Sequence, residues 1–329
     1  MQYTKMIKVA IAGATGYTGG ELIRILLNHP HVTITSLLTS SLNGQAVSAV
    51  HKDLYGDCAL CFTDTLGEPD VLFLCLGHGL SREFLTKHKI PAHCKVIDLG
   101  SDFRVENKFD DKHFVYGVPE LFKRDIAVAS YVANPGCFAT AIILALAPLA
   151  AHKWLTGDVY IHALTGATGA GKQLAETSHF SYRASNISIY KAFTHQHLGE
   201  INKTLQTLSG GAVPEVNMIP VRGDFTRGIF AGILARLPAG TTAAQVRGLF
   251  REFYKNALFV HLSDETVSLK SVVNTNKVLF DVEVNNGTLH ITSILDNLIK
   301  GASGQAVQNM NLMCGIAEDC GLKLKSSVF

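Results

Sequence analysis

This 329-residue chain has no apolar run long enough to cross a bilayer. Its longest such run, Phe138 to Ala151, falls short of the ~18 residues a span needs and contains Pro148, so it reads as a buried helix. Charge of either sign is not in excess: 29 Lys and Arg stand against 27 Asp and Glu. That balance argues against nucleic acid or another polyanion as the main partner. No small-residue cleavage site precedes the glycine-rich stretch near the start, so "MQYTKMIKVAIAG" reads as the approach to a first strand and not as a secretion signal. The seven cysteines are odd in number and suit reduced thiols in the cytosol better than a disulfide framework. Cys58 and Cys61 form a C-x-x-C, but no second pair and no suitably spaced histidines complete a zinc site. Repeats, low-complexity segments and flexible linkers are missing too. The expectation is a soluble, cytoplasmic, globular protein without membrane, nucleic-acid or metal partners.

What is present divides the chain in two. The first part alternates strand and helix patterns: "KVAIAG" (8–13), "TGGELIRILLNH" (18–29), "TITSLLT" (33–39), "PDVLFLCLGHG" (69–79) and "KVIDLGS" (95–101). Continuous apolar strands between helices imply β-α-β units and a parallel sheet buried on both faces. Beyond residue 155 the pattern turns strand-rich, in 158–166, 216–237 and 277–295, with one clear helix at 242–257. Asn286-Gly287 sits between two alternating runs and signals a hairpin. The tail 301–319 looks helical again. These patterns predict a Rossmann-type α/β dinucleotide-binding domain over 1–153, with the C-terminal segment 301–329 added to it. Residues 154–300 are expected to form an α+β domain on a mixed or antiparallel sheet.

"AGATGYTGGEL" places Gly13, Gly16 and Gly19 directly after the first strand and at the start of a helix. Glycines there allow a tight turn and close approach to a pyrophosphate seated on the helix N-terminus. The spacing departs by one residue from the usual G-x-G-x-x-G, but the strand-turn-helix context supports dinucleotide binding. Cofactor contacts are expected from Gly13, Thr15, Gly16, Tyr17, Thr18 and Gly19. From Pro30 to Asn43 there is no Asp or Glu to bind a ribose hydroxyl, and Ser40 and Ser41 stand there instead. A carboxylate would repel a 2′-phosphate, so its absence favours NADP over NAD.

"VANPGCFAT" (132–140) puts Cys137 between a strand-like segment and a helix. At a helix N-terminus the unpaired N–H groups favour a thiolate, lowering thiol pKa values into the ~3.5–7.5 range, and can also hold an oxyanion. The alternative is a small apolar cap. "THQHLGEI" adds His195, His197 and Glu200; an i, i+3 spacing puts His197 and Glu200 on one helical face, a carboxylate beside an imidazole. Further anion-binding candidates are Ser101 and Arg104 in "GSDFR", and Asn134.

Taken together, "GATGYTGGEL", "HGLS" (78–81), "DLGSDFR" (98–104), "YGVPEL" (116–121), "NPGC" (134–137), "TGATGAGK" (165–172), "HQHLGEI" (195–201), "TRGI" (226–229) and "DNLIKGASGQAVQNMN" (296–311) resemble, in order, the N-acetyl-gamma-glutamyl-phosphate reductase family of arginine biosynthesis. The chain departs from the family pattern at Gly199, where a proline is usual, and at Phe138-Ala139, where Tyr-Pro is frequent. The resemblance implies an NADPH-dependent oxidoreductase acting on an acyl phosphate through a Cys137 thioester, with His197 as general acid/base oriented by Glu200. It further implies substrate contacts from His195, Arg104, Asn134 and Lys172, cofactor contacts from Ser101 and Asn297, and a homodimer or homotetramer. Rival readings are aspartate-semialdehyde dehydrogenase, a reductase of a one-carbon-longer acyl phosphate, and a non-catalytic NADP-binding sensor.

Overall fold

The computed structural model describes residues 6–77 and 79–328; His78 of the "HGLS" stretch, residues 1–5 and Phe329 lie outside the described residues. The chain forms two compact units. One runs to Pro135 and takes up Ala302–Lys323; the other is Gly136–Gly301 with the chain from Leu324 onward. The packing therefore divides the chain at Pro135, upstream of the position 153 suggested by the sequence. Among the described residues, no helix is long and apolar enough to cross a membrane.

The first unit contains, in chain order, β1 (Ile7–Ala12), α1 (Tyr17–Leu26), β2 (Val32–Leu38), β3 (Val71–Leu74), α2 (Leu80–Lys87), β4 (Lys95–Asp98), a small ribbon of β5 (Lys108–Phe109) and β6 (Lys112–His113), β7 (Val115–Tyr116), α3 (Pro119–Val128) and β8 (Tyr131–Ala133). Six of its strands make one sheet in the order β2-β1-β3-β4-β8-β7, with every pairing parallel. Leu22, Ile23, Ile25 and Leu26 of α1 are buried, the helix packing on β2 and on the C-terminal helical segment. Each such side chain contributes roughly 1.5–3 kcal/mol. The chain leaves β1 toward β2 and then returns to β3 on the other flank of β1. The carboxyl ends of β1 and β3 thus flank a topological switch point, where open α/β sheets bind ligands.

The second unit opens with α4 (Cys137–Ala151), followed by β9 (Val159–Thr165), the short α5 (Phe180–Arg183), β10 (Ser188–Ile189), α6 (His197–Ser209), β11 (Val216–Arg222), β12 (Ile229–Arg236), α7 (Ala243–Phe253), β13 (Val260–Leu262), β14 (Val278–Asn285) and β15 (Thr288–Leu295). Its sheet order is β10-β11-β9-β12-β15-β14-β13. The β9–β11 and β13–β14 pairs are parallel and the others antiparallel, so the sheet is mixed. The expected hairpin is present: Asn286 (φ 48°) and Gly287 (φ 73°) both take the positive φ that a type I′ turn requires. At α7, Thr242 and Gln245 form a reciprocal capping box, worth about 1 kcal/mol. Helix α4 is apolar all round and packs against β12, β15 and α6. Pro148 cannot donate to the carbonyl of Leu144 one turn back, and the hydroxyl of Tyr254 takes that carbonyl instead.

After β15 a π-helical turn (Ile299–Ser303) leads into α8 (Gly304–Met313), which packs in the first unit against α3, α1 and β4. The helical tail is shorter than its composition suggests, because Gly315 turns to φ 66° and ends it.

Candidate active site

In the second unit, Cys137 is the first residue of α4. Gly136 caps that helix without a side-chain hydrogen bond, as a glycine must. A carboxylate from α6 reaches it instead: Glu200 Oε2 accepts the Gly136 N–H at 3.1 Å. The other oxygen of the same carboxylate, Oε1, lies 3.8 Å from His197 Nε2. His197 and Glu200 are both in the first turn of α6, so the i, i+3 spacing does bring them to one face. Both are nearly inaccessible, at 6% and 2% exposure, so a charge on the imidazole would meet Glu200 with little screening.

Gly136 has an ordinary φ of −70°, so conformation does not require glycine there. Space does. A Cβ on residue 136 would stand 2.4 Å from His197 Nε2, 2.5 Å from its Cε1 and 2.7 Å from Glu200 Oε1. The imidazole therefore lies against the residue directly before the thiol. Gly301 does the same on Cys137 itself, where an added Cβ would come within 2.8 Å of the cysteine Cβ. Asp296, fully buried, fixes that stretch by accepting the N–H groups of Leu298 and Ile299, while its carbonyl takes the Gly301 N–H at 2.9 Å.

His195 sits just before α6. Its Nδ1 accepts the backbone N–H of His197 at 3.2 Å, which leaves the ring proton on Nε2. Phe138 stands edge-on to both histidine rings, at 5.4 and 6.1 Å between centroids. Phe138 thus keeps the ring of the more frequent tyrosine at the histidine pair, without its hydroxyl. Two further side chains escaped the sequence reading. Tyr190 lies 5.8 Å from the His195 ring, and the guanidinium of Arg222 lies 4.8 Å over the Tyr190 ring. Burial first, and then the negative charge of Cys137, push the Tyr190 hydroxyl up to about 12, against the hydrogen bond and charge of Arg222. These residues meet because β10 pairs with the end of β11 (Ser188 with Arg222, Ile189 with Val221), a register that local patterning does not reveal.

The remaining candidates of this unit hold loops. Asn297 Oδ1 accepts the Gly228 N–H at 2.6 Å, and its Nδ2 donates to Thr168 Oγ1 at 3.0 Å. Both ends of this amide thus join "TGATGAGK" to "TRGI". Lys172 is exposed, past the 3-10 turn Ala167–Ala170. Among the described residues no three His, Cys, Asp or Glu side chains converge as metal ligands.

In the first unit the glycine turn lies where the fold favours a nucleotide. Gly13 takes φ +80°, and a Cβ there would stand 2.4 Å from the Cys75 carbonyl beyond β3. Gly19 packs on the turn, with a Cβ position 2.8 Å from Ala14 Cα. Gly16 is different: an added Cβ would meet only Gly13 O, at 3.7 Å. Gly16 caps α1 with no side chain, no acidic residue occupies the first turn, and Thr15, Tyr17 and Thr18 flank the cap. This open cradle of helix-end amides suits a pyrophosphate. Exposed Ser40 and Ser41 follow β2, as a 2′-phosphate site requires. Half-buried Ser101 lies on the turn after β4.

Arg104 and Asn134, expected to meet substrate, hydrogen-bond within this unit, to backbone carbonyls and to the side chain of Asn309. Arg104 Nε donates to the Asn134 carbonyl (2.9 Å) and its Nη2 to the Leu99 carbonyl (2.8 Å). Asn134 Nδ2 donates to the Ala302 carbonyl and Oδ1 accepts from Asn309 Nδ2. Buried Asp98, held by Ser81 Oγ at 2.6 Å and the Gly100 N–H, braces the same loop.

Comparison with known proteins matches both units. The family described as "Semialdehyde dehydrogenase, NAD binding domain" matches residues 8–129, and "Semialdehyde dehydrogenase, dimerisation domain" matches residues 137–297. Proteins named N-acetyl-gamma-glutamyl-phosphate reductase are similar along almost the whole chain. The one from Bacteroides thetaiotaomicron is 49% identical over 98% of this chain and 100% of its own length. The one from Flavobacterium johnsoniae is 50% identical over the same shares. Among solved structures, a probable aspartate-semialdehyde dehydrogenase from Pseudomonas aeruginosa superposes with TM-score 0.72 at 16% identity, covering 94% of this chain and 99% of that one. Aspartate semialdehyde dehydrogenase with NADP from Candida albicans gives 0.70 at 15% identity, covering 96% and 100%. These two likenesses establish the fold.

Proposed function

Because the chain belongs to the N-acetyl-gamma-glutamyl-phosphate reductase family of semialdehyde dehydrogenases, we propose that it reduces N-acetyl-gamma-glutamyl phosphate, with NADPH, to N-acetylglutamate 5-semialdehyde and phosphate, a step of arginine biosynthesis. The observation that carries this reading is the single carboxylate of Glu200, which holds both the helix cap before Cys137 and the imidazole of His197.

In this account His197 takes the thiol proton, and Glu200 stabilises the resulting imidazolium beside Nε2. Cys137 sulfur attacks the acyl carbon, the C–O bond to phosphate breaks, and a thioester forms. The N–H groups of the first turn of α4 face the developing oxyanion, since helix-end amides lack intrahelical acceptors. The reduced nicotinamide cofactor, when bound, supplies the hydride that converts thioester to hemithioacetal. His197 gives its proton to the hemithioacetal oxygen and takes it back as the C–S bond breaks and the semialdehyde leaves. Arg222, over the Tyr190 ring, offers a cation for the carboxylate of the substrate, and His195 and Lys172 are further substrate contacts. Arg104, Asn134 and Asn297 act as positioning residues through the loops they hold.

The dinucleotide is proposed to bind at Gly13, Thr15, Gly16, Tyr17, Thr18 and Gly19, with Ser101 beside them. The lack of an acid after β2 and the exposed Ser40 and Ser41 support NADP as the cofactor. Exposed Tyr160 and Leu234 are cross-strand neighbours on β9 and β12, and this apolar pair supports self-association through the second unit as a homodimer or homotetramer. The test is the phosphate-dependent oxidation of N-acetylglutamate semialdehyde by NADP, compared with aspartate semialdehyde and the one-carbon-longer acetylated semialdehyde. NADPH formed fastest from the N-acetylglutamate compound supports the reading; none formed from it overturns the reading.

A further inference from the structure

Two adjacent glycines stand in the first turn of α1, and only one of them is accounted for by the turn. Gly19 packs directly on Ala14. Gly20 has no positive φ, and glycine is disfavoured in a helix interior. A Cβ at Gly20 would lie 2.6 Å from both Cε1 and Nδ1 of His51. The imidazole of His51 therefore lies on the helix start in the place a side chain would take. Its Nε2 is 2.8 Å from the carbonyl oxygen of Ala14, inside the Gly13–Gly16 turn. A carbonyl only accepts, so Nε2 carries the proton. The ring is backed by Phe62, 6.3 Å away and 1% exposed, and the His51 N–H is fixed to the Val47 carbonyl at 2.9 Å.

We propose that His51 is a positioning residue of the dinucleotide site: its Nε2–H holds the Ala14 carbonyl and thereby the turn whose amides receive the pyrophosphate. A carbonyl dipole swung toward a pyrophosphate repels it, so pinning this one leaves the helix-end amides to face the anion. Gly20 is kept small to seat the ring. The proposal rests on the dinucleotide reading of the Gly13–Gly19 turn.

The experiment is titration of the full chain with NADPH, followed by the cofactor's fluorescence and by calorimetry, without substrate, with thermal unfolding run in parallel. Wild type is measured first; no NADPH binding there overturns the dinucleotide reading and this proposal together. With wild type binding, His51→Leu weakens NADPH about tenfold, the effect of losing one hydrogen bond that orders an anion site. His51→Gln, whose Nε2–H reaches a similar point, restores affinity to within about threefold of wild type. Gly20→Ala displaces the ring and weakens NADPH several-fold although alanine favours helix. Unchanged affinity in His51→Leu, or in Gly20→Ala where His51→Leu does not fold, overturns the proposal, as does a Gln variant as weak as the Leu variant.

Discussion

Helices α1 and α4 both begin at a glycine in extended conformation with no side-chain cap, and the two glycines are there for different reasons. Before α1, Gly16 faces open space, since a Cβ would touch only Gly13 O at 3.7 Å. Before α4, Gly136 faces an imidazole, and a Cβ would strike it at 2.4 Å. No acidic side chain occupies the first turn of α1, whereas Glu200 takes the N–H of Gly136 at the start of α4. The first arrangement suits an anion brought from outside. The second brings its own carboxylate and imidazole to a thiol. At these two helix starts, glycine leaves room for an incoming anion in one case and for a neighbouring side chain in the other, and only the fold distinguishes them.

The comparison can be broken at four points. Replacing Cys137 by Ser is expected to lower turnover by at least about 10^4-fold while NADPH affinity stays unchanged, because the reagent is lost and the nucleotide turn is untouched; steady-state rates and NADPH titration check both halves. Alkylation separates Cys137 from buried thiols. Burial pushes Cys75 and Cys94 up to about 12 and Cys314 up to about 11. A raised thiol pKa keeps the proton on at every pH below it. At pH 7–8 Cys75 therefore holds about 10^3-fold less thiolate than an ordinary thiol. Peptide mass mapping after brief alkylation should show Cys137 modified well before Cys75, Cys94 and Cys314, and equal rates would remove the activated-thiol argument.

Gly136→Ala is expected to cost about 10^2-fold in kcat by displacing His197, with NADPH affinity retained. Gly16→Ala is the mirror case. Nothing in the protein itself opposes the methyl, so thermal unfolding should show a loss of no more than about 1 kcal/mol, yet NADPH should bind about tenfold more weakly because the methyl occupies the ligand's seat. A Gly136 variant with full activity, or a Gly16 variant with full NADPH affinity, would erase the contrast.

Much of this was legible in the chain because it is local. Strand and helix periodicity marked both sheets, Asn286-Gly287 marked the hairpin, and the i, i+3 spacing joined His197 to Glu200. What was not legible depends on pairing over long separations. Arg222 reaches Tyr190 only through the register of β10 on β11. Gly301 reaches Cys137 only because Asp296 ties the π-helical turn. Arg104 was chosen as an anion-binding candidate from its place after a strand; its burial and its hydrogen bonds to the carbonyls of Asn134 and Leu99 were not legible there. Gly136 could be read from the sequence only as the residue before a helix; the requirement there is room for His197, which lies far away in sequence. The expected break at residue 153 followed the change in pattern, while packing placed the whole of α4 with the mixed sheet.

Whether Cys137 carries the acyl group can be read by mixing the protein with N-acetyl-gamma-glutamyl phosphate without NADPH, quenching in acid and mapping the adduct by peptide mass spectrometry. One N-acetylglutamyl adduct is expected, on the peptide containing Cys137, that hydroxylamine releases and that disappears on adding NADPH. An adduct on another residue, or rapid turnover with NADPH by the Cys137→Ser variant, would contradict that role.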